Sequence, residues 1–308
     1  MSSPVQCVSL EINFDANRQT PLLGGLIIAM AEARNIAQAS GIHLKMIFRD
    51  NDAKYVSQII ELVVRSPWVH SVDFATGSRG VSQLKNLHCP SHMPPLKYVS
   101  TNMNFDSPRA LIHRGFRAGN LLVDFFDVAT RQESAALLSS NGSQQTVVFH
   151  GLFKENPSPS EMAKSVFDAH VWSRAIDSWI SRNEDISVFF LSDTELVHRL
   201  IPENRRAILL NGIPLRNRLA LINEANGFFG TSTGPSTIAL LGARPYMVAK
   251  HPKHHPGHVT DLLDSGRVGA FSSFSSSSQK FELVNPDLDY LSGALEGMIH
   301  ELRGVGAG

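Results

Sequence analysis

Cysteine, net charge and long apolar runs are all scarce in this sequence, and each absence excludes a class of protein. Two cysteines, Cys7 and Cys89, are too few for a disulfide framework, which fits a reducing compartment. The 28 basic residues match the 28 acidic ones, so no overall positive field exists for nucleic acid or an acidic membrane. No stretch approaches the length of a membrane span, and no signal-peptide pattern begins the chain. We therefore expect a cytoplasmic protein without a transmembrane segment.

The length and the apolar content predict two globular domains. A chain of 308 residues, 43% of them hydrophobic, holds enough apolar side chains for two cores of ordinary size. Strand and helix patterns alternate from residue 5 onward, become weak around the prolines of residues 77–120 and return at residues 121–138. A second series of strands and helices begins after a small polar segment at 139–145. We place the boundary there. The N-terminal domain then comprises residues 1–141 and the C-terminal domain residues 142–308, whose last helix is a candidate to pack back on the N-terminal domain.

Both halves are predicted to be doubly wound α/β domains. The predicted strands are residues 5–12, 44–48, 69–75, 121–126, 146–150, 186–191, 207–210, 228–229 and 246–249. The predicted helices after residue 120 are residues 130–138, 161–182, 194–200, 215–225, 235–241 and 288–302. Strand–helix–strand connections of this length give parallel sheets with helices on their faces. Because ligands bind beyond the carboxyl ends of such strands, we expect a site in a cleft between two Rossmann-like domains.

A turn of small residues in the C-terminal half is the first candidate for a ligand site. Segment 227–245, GFFGTSTGPSTIALLGARP, is typical of a strand, a turn, a helix beginning at Pro235 and a stop at Gly242. The unbonded N–H groups at the start of such a helix favour an anion, most often a phosphate. Many turns of this composition hold only water. The residues predicted to bind phosphate are Thr231, Ser232, Thr233, Gly234, Ser236 and Thr237.

Three further candidates follow the ends of predicted strands. His150 ends the first C-terminal strand, Lys154 lies in the loop after it, and Asp15 lies in the loop after the first N-terminal strand. Carboxyl ends of strands face the expected site, so all three are predicted to contribute to it. The alternatives are structural: Asp15 as a cap of the following segment, and His150 as a neutral side chain under the sheet.

Four histidines within residues 251–258 form another cluster. Prolines prevent a helix from aligning them, and no cysteine or carboxylate stands at a usual ligand spacing, so the pattern favours a solvated loop over a zinc site. Together with the preceding Lys250, the cluster could add positive charge near a phosphate.

Segment 219–245 resembles the donor-site region of glycosyltransferases with two Rossmann-like domains (the GT-B fold), above all the heptosyltransferase-like family (glycosyltransferase family 9). In that family a small apolar helix leads to a strand, an Asp-Ser-Gly-Pro turn, a helix and a Gly-x-Pro exit. His150 with Lys154 is similar to the family's first C-terminal strand and its loop lysine near the donor phosphates, and residues 24–33 resemble its first glycine and apolar helix. The chain departs from the family at Ser232 and Thr237, where the family has Asp and His, and it lacks an Arg-x-Gly-Asp segment near the N-terminus.

The resemblance implies transfer of a sugar from a nucleotide-diphosphate sugar to the hydroxyl of a glycan or small-molecule acceptor. Lys154 and the turn at 231–237 would stabilise the leaving diphosphate without a metal ion or cofactor, and Asp15, or else His150, would be the base. Two alternatives stay open: a nucleotide-sugar epimerase or hydrolase on the same fold, and a non-catalytic relative, which the departures make credible. A dehydrogenase is disfavoured because Gly-x-Gly-x-x-Gly does not follow the first strand.

Overall fold

The computed structural model describes the C-terminal half of the chain almost continuously. It describes residues 125–191, 194–254 and 275–305, four strands of the N-terminal half, and Leu23, Gly24, Ile27, Leu62, Arg65 and Ser66. The contacts within the chain divide it into two compact units, Met1–Val128 and Ala129–Gly308. The predicted boundary, between residues 141 and 142, lies one helix further along the chain.

The first unit contains a four-stranded parallel sheet. Its strands are β1 (Cys7–Asn13), β2 (His43–Arg49), β3 (Val69–Phe74) and β4 (Leu96–Ser100). They lie in the order β3-β2-β1-β4, and each neighbouring pair is parallel. The first three strands were predicted from their apolar, β-branched residues. The fourth was not, because the prolines before it interrupt the pattern.

The second unit is built on a six-stranded sheet, which accompanies a small two-stranded one. The strands in chain order are β5 (Gln145–His150), β6 (Leu152–Lys154), β7 (Val166–Asp168), β8 (Ile186–Leu191), β9 (Ala207–Leu210), β10 (Gly227–Thr231), β11 (Tyr246–Lys250) and β12 (Gln279–Leu283). The large sheet has the order β12-β11-β10-β5-β8-β9, and β6 pairs with β7. All of these pairs are parallel, which confirms the predicted α/β class.

Helices connect the strands of the second unit, as parallel pairing requires. Their bounds are α1 (Val128–Ser139), α2 (Pro159–Met162), α3 (Ala169–Arg182), α4 (Glu195–Arg199), α5 (Leu215–Glu224), α6 (Ser236–Leu241) and α7 (Leu288–Val305). Arg131 of α1 forms an ion pair with Glu224 of α5 at 2.7 Å, so α1 is fixed to the second unit. Within the described ranges no helix has the length and apolar character needed to cross a membrane.

The core of the second unit lies between one face of the sheet and helices α3 and α7. Phe149 and Phe229 of neighbouring strands point to this face, and the ring of Trp172 on α3 lies 5.7 and 5.2 Å from theirs. Ion pairs also hold α7 to this unit: Glu296 to Arg182 at 2.8 Å, and Arg303 to Asp185 at 2.9 Å. The packing of α7 on the N-terminal domain stays a prediction.

The predicted helix 161–182 is wrong in its first part, where the chain forms α2, a turn and β7 before α3 begins. Ser165 has a φ of 59°, a left-handed conformation that ends a helix, and Asp168 caps α3 by accepting a hydrogen bond from His170 N at 2.8 Å. The helical spacing continued to Phe167 because this strand residue packs into the same core as Trp172 and Trp179. Core residues of β7 and α3 therefore recur in the sequence at a helical spacing, although only α3 is a helix.

Three smaller differences concern short elements. Strands β6 and β12 were not predicted: β6 has three residues, and β12 follows a serine-rich segment and has only two apolar residues, Phe281 and Leu283. Phe125 and Phe126 lie in a turn and a bend rather than in the predicted strand 121–126, whose other residues lie outside the described ones.

Candidate functional site

The carboxyl ends of three adjacent strands bring the candidate residues to one edge of the large sheet. His150 ends β5, Thr231 ends β10 and Lys250 ends β11, and β10 lies between the other two. The register pairs His150 with Gly230, and Thr231 with Ala249, so the three strands end within two residues of one another. The structure thus brings together the strand-end residues that were predicted separately.

His150 is bonded to the turn that follows β10. Its side chain is buried, with an exposed fraction of 2%, and Nδ1 lies 2.7 Å from the Thr233 hydroxyl oxygen. The register explains this contact, because β5 and β10 end side by side and the turn folds back over the end of β5. A histidine–hydroxyl pair is therefore fixed at the carboxyl edge, where ligands of parallel sheets bind.

The turn itself is held by Ser236. The Ser236 hydroxyl accepts a hydrogen bond from Thr233 N at 3.0 Å and donates one to Thr233 O at 2.8 Å. Thr237 N donates to Gly234 O at 3.2 Å. Ser236 is fully buried, so its hydroxyl shapes the turn in this structure. By contrast, the part-exposed Ser232 hydroxyl and the Gly234 N–H have no hydrogen bond within the described ranges.

Helix α6 after this turn is shorter than a dipole argument requires. It has six residues, Pro235 before it has helical angles, and no side chain caps its first N–H groups. Two of those early N–H groups, of Thr237 and Ile238, donate to carbonyls of the turn. Helix α6 ends before Gly242, as predicted, but Gly242 has a φ of −85° rather than the left-handed conformation of a typical glycine cap. The turn, rather than a helix dipole, therefore offers the donors at this edge.

Thr231 and Gly151 join the loop after β5 to the end of β10. Thr231 is fully buried, and its hydroxyl oxygen accepts a hydrogen bond from Leu152 N at 3.2 Å. A Cβ on Gly151 would lie 2.8 Å from that oxygen, closer than side chains pack, so this close approach requires glycine. The hydroxyl of Thr231 therefore positions β6.

Lys154, at the end of β6, is paired with an acid. Its Nζ lies 2.8 Å from Glu161 Oε1, and both side chains are partly exposed. Glu161 also closes a capping box with Ser158 at the start of α2. The hydrogen bond from Lys154, followed by those from Ser158, lowers the pKa of Glu161 to about 2. The predicted contact of Lys154 with a phosphate would require it to leave this ion pair.

We expect the Glu161 carboxyl group to titrate far below an ordinary glutamate, because its ionised form accepts three hydrogen bonds. A lowered folded pKa stabilises α2 above pH 4.5, and this contribution falls away as the pH approaches 2. The side-chain carboxyl 13C shift, followed by NMR, should show a midpoint near 2 that rises in Lys154→Met. A midpoint near 4 in the unmodified protein would contradict the pairing.

Lys250 also lies at this edge. From the sequence it was considered only together with the histidine cluster, as added positive charge near a phosphate. Its exposed fraction is 9%, and burial lowers the pKa of its ammonium group to about 8. No hydrogen bond or ion pair reaches that group from the residues the structure describes. The usable sequence signal was its position, since a lysine directly ends an apolar strand next to β10.

The histidine segment after β11 is bonded to the turn before β7. The Ser165 hydroxyl oxygen accepts from His251 N at 3.0 Å and lies 2.8 Å from His254 Nδ1. Burial and the neighbouring Lys253 lower the pKa of His251, which favours its neutral form at physiological pH. His255 and His258 lie outside the described residues.

Asp15, the predicted base, also lies outside the described residues, and the predicted cleft between two domains stays a prediction. The site that the structure describes is therefore the carboxyl edge of the second unit, with His150, the turn at 231–237 and Lys250.

Solved structures match nearly the whole chain, whereas no family model and no curated protein match its sequence. A glycosyltransferase family 9 protein from Veillonella parvula is 12% identical with a TM-score of 0.51, over 90% of this chain and 85% of that one. The Escherichia coli heptosyltransferase WaaC, in a structure with ADP, is 12% identical with a TM-score of 0.54, over 96% and 100%. The ADP-heptose LPS heptosyltransferase II of E. coli is 10% identical with a TM-score of 0.52, over 98% and 100%. At these identities the likeness shows the fold, and it confirms the predicted resemblance to GT-B heptosyltransferases at that level.

Proposed function

We propose that this protein is a glycosyltransferase that moves a sugar from a nucleotide-diphosphate sugar to an acceptor hydroxyl. The donor diphosphate would bind at the carboxyl edge of the six-stranded sheet. The observation that carries the proposal is the hydrogen bond between His150 and Thr233 at this edge. It occurs in a fold that is similar to that of heptosyltransferases along nearly the whole chain.

The chemistry of the step asks for oriented donors and positive charge. When the bond between sugar and diphosphate breaks, negative charge develops on the leaving phosphate, and fixed N–H and O–H groups stabilise it. The turn holds two donors without a partner among the described residues, the Ser232 hydroxyl and the Gly234 N–H. Thr231, Thr233, Ser236 and Thr237 would keep the turn in shape, and Thr233 would also orient His150.

An acceptor hydroxyl needs a base to remove its proton. Asp15 is our first candidate, because it comes two residues after β1 in the sequence, and His150, which ends β5, is the second. We propose that Lys154 supplies a further charge after it separates from Glu161, and that no metal ion or cofactor takes part. The acceptor would be a glycan or a small molecule, and the protein would act in the cytoplasm.

Thr233→Val is expected to weaken nucleotide binding roughly 5- to 10-fold, because it removes a hydroxyl that makes one buried hydrogen bond and shapes the turn. Isothermal titration with ADP, UDP, GDP and CMP, with and without EDTA, measures this. We expect one nucleoside diphosphate to bind and EDTA to change nothing. Thr146→Val is the matched control: Thr146, at the opposite end of β5, also loses one hydrogen bond, to Asn226 at 2.9 Å, and should bind nucleotide normally.

Each other outcome has a defined meaning. No binding by the unmodified protein at millimolar nucleotide would contradict the donor site. Loss of binding with EDTA would contradict metal independence. Equal losses in Thr233→Val and Thr146→Val would assign the effect to general destabilisation. Epimerisation or hydrolysis of a bound sugar nucleotide, without transfer to any acceptor, would favour the second activity considered for this fold.

A further inference from the structure

Lys250 stands out among the charged residues that the structure describes in the second unit, because its side chain is largely removed from water and its ammonium group has no partner. The exposed fraction of the whole residue is 9%, and neither a hydrogen bond nor an ion pair to its ammonium group exists within the described ranges. Burying an unpaired charge costs free energy, so such groups usually occur where a ligand or partner supplies the opposite charge. Apolar packing alone would be achieved at lower cost by methionine or leucine.

The strand register places Lys250 on the same face of the sheet as His150. Side chains alternate along a strand, and Phe149, Met247 and Ala249 all point into the core under α3 and α7. His150 and Lys250, each one residue further along, therefore point to the opposite face. Between them lies β10 with Gly230, which has no side chain, and then the turn that begins at Ser232.

Lys154, the lysine predicted to contact the donor phosphates, is already paired with an acid. Lys154 is exposed and lies 2.8 Å from Glu161, whereas the Lys250 side chain is largely buried at the end of β11 and its ammonium group has no such pair within the described residues. The donors of the turn at Ser232 and Gly234 follow the strand directly next to β11. An anion at this edge would thus meet N–H and O–H groups from the turn and one full positive charge from the adjacent strand.

We propose that Lys250 binds the phosphate oxygens of the nucleotide diphosphate and is the principal cation of the donor site. This inference rests on the proposed function and adds the residue that supplies the charge. The ligand class is a diphosphate ester, recognised through its charge and oxygens rather than through its base. Bound diphosphate gives the ammonium group the ion pair that the free protein lacks.

The experiment compares Lys250→Met with Lys280→Met, an exposed lysine on β12 of the same sheet. Each protein is titrated calorimetrically with ADP, UDP, GDP, their parent nucleosides and inorganic pyrophosphate. Lys250→Met should weaken diphosphate binding roughly 10- to 100-fold, as expected for a charge-assisted contact, and leave nucleoside binding unchanged. Lys280→Met should match the unmodified protein, and Lys250→Arg should restore part of the affinity.

The outcomes separate this inference from the function on which it rests. If the unmodified protein binds a diphosphate and Lys250→Met binds it within two-fold as tightly, Lys250 is not the cation, and the donor site stands without it. Equal weakening for nucleoside and diphosphate would also overturn the inference, because it indicates general disturbance of the site. If the unmodified protein binds none of the probes, both proposals fail together. Thermal unfolding of each variant establishes that it is folded.

Discussion

Gly230→Ala will lower the free energy of unfolding by at least about 3 kcal/mol. A Cβ on Gly230 would overlap the carbonyl oxygen of His150 and lie 2.9 Å from its carbonyl carbon. Both atoms belong to the backbone of β5, the register partner of β10, so no side-chain rotation relieves the contact. The strands would have to separate at the end that carries the site. Nucleotide binding should therefore fall together with stability.

Urea unfolding followed by tryptophan fluorescence measures this loss, and Gly293→Ala is the matched control. Gly293 lies inside helix α7, and a Cβ there would meet no atom within 4 Å. Alanine favours the helical state over glycine, so this substitution should stabilise the protein by roughly 0.5–1 kcal/mol. The same chemical change thus has opposite signs at the two positions. A loss below about 1 kcal/mol in Gly230→Ala would contradict the close approach of β5 and β10.

Lys250→Met will stabilise the free protein at neutral pH by up to about 3 kcal/mol, because burial lowers the pKa of Lys250 in the folded state. Its pKa is about 8 in the folded protein against an ordinary value of 10.5, and burial is the cause, with no charged side chain contributing. The folded state therefore disfavours the proton. The cost of the buried charge is complete below pH 8 and vanishes as the pH rises to 10.5. The difference in stability between the two proteins should disappear across that range.

Urea unfolding of both proteins at intervals from pH 7 to pH 10.5 tests this expectation. The pKa values of Tyr246 and Tyr290 are raised to about 12, but these residues are common to both proteins and their effects cancel in the difference. Lys280→Met, on the exposed side of β12, should change stability by less than about 0.5 kcal/mol at every pH. A stability difference that is independent of pH would show that Lys250 is paired in solution. Higher stability with weaker diphosphate binding is the combination expected of a residue that serves a ligand.

The bounds of strands and helices were predicted correctly where a single element contains all of the neighbouring residues that face the core. Strands β8 and β9 have the predicted bounds, because both are short apolar runs between turn residues. The helix that ends at Arg182 was predicted to begin too early. Phe167 lies on strand β7 and Trp172 on helix α3, but both pack into the same core. The spacing of apolar residues indicates which of them face the core. It does not reveal the left-handed backbone of Ser165, which separates the strand from the helix.

The location of the candidate site could be predicted from the sequence, but the contacts that each of its residues makes could not. His150 and Thr233 were predicted to lie at one edge, since parallel strands end together, and the structure brings them within 2.7 Å. The engagement of Lys154 with Glu161 depended on a capping box that closes only after α2 forms. The burial of Lys250 likewise depends on the packing around a strand end, which composition and spacing do not encode.

The strand order also has a consequence for the kinetics of folding. Strand β5 is the earliest strand of the large sheet along the chain, yet one of its two neighbours is β10, and Thr146 N bonds to Asn226 eighty residues later. Pairing of residues so far apart along the chain is slow. The edge of β5 that pairs with β10 is therefore expected to stay unpaired while the connecting helices form. An open apolar edge of this kind is where partly folded chains associate with each other. Refolding yield should therefore depend on protein concentration more strongly than the balanced charge of the folded molecule suggests.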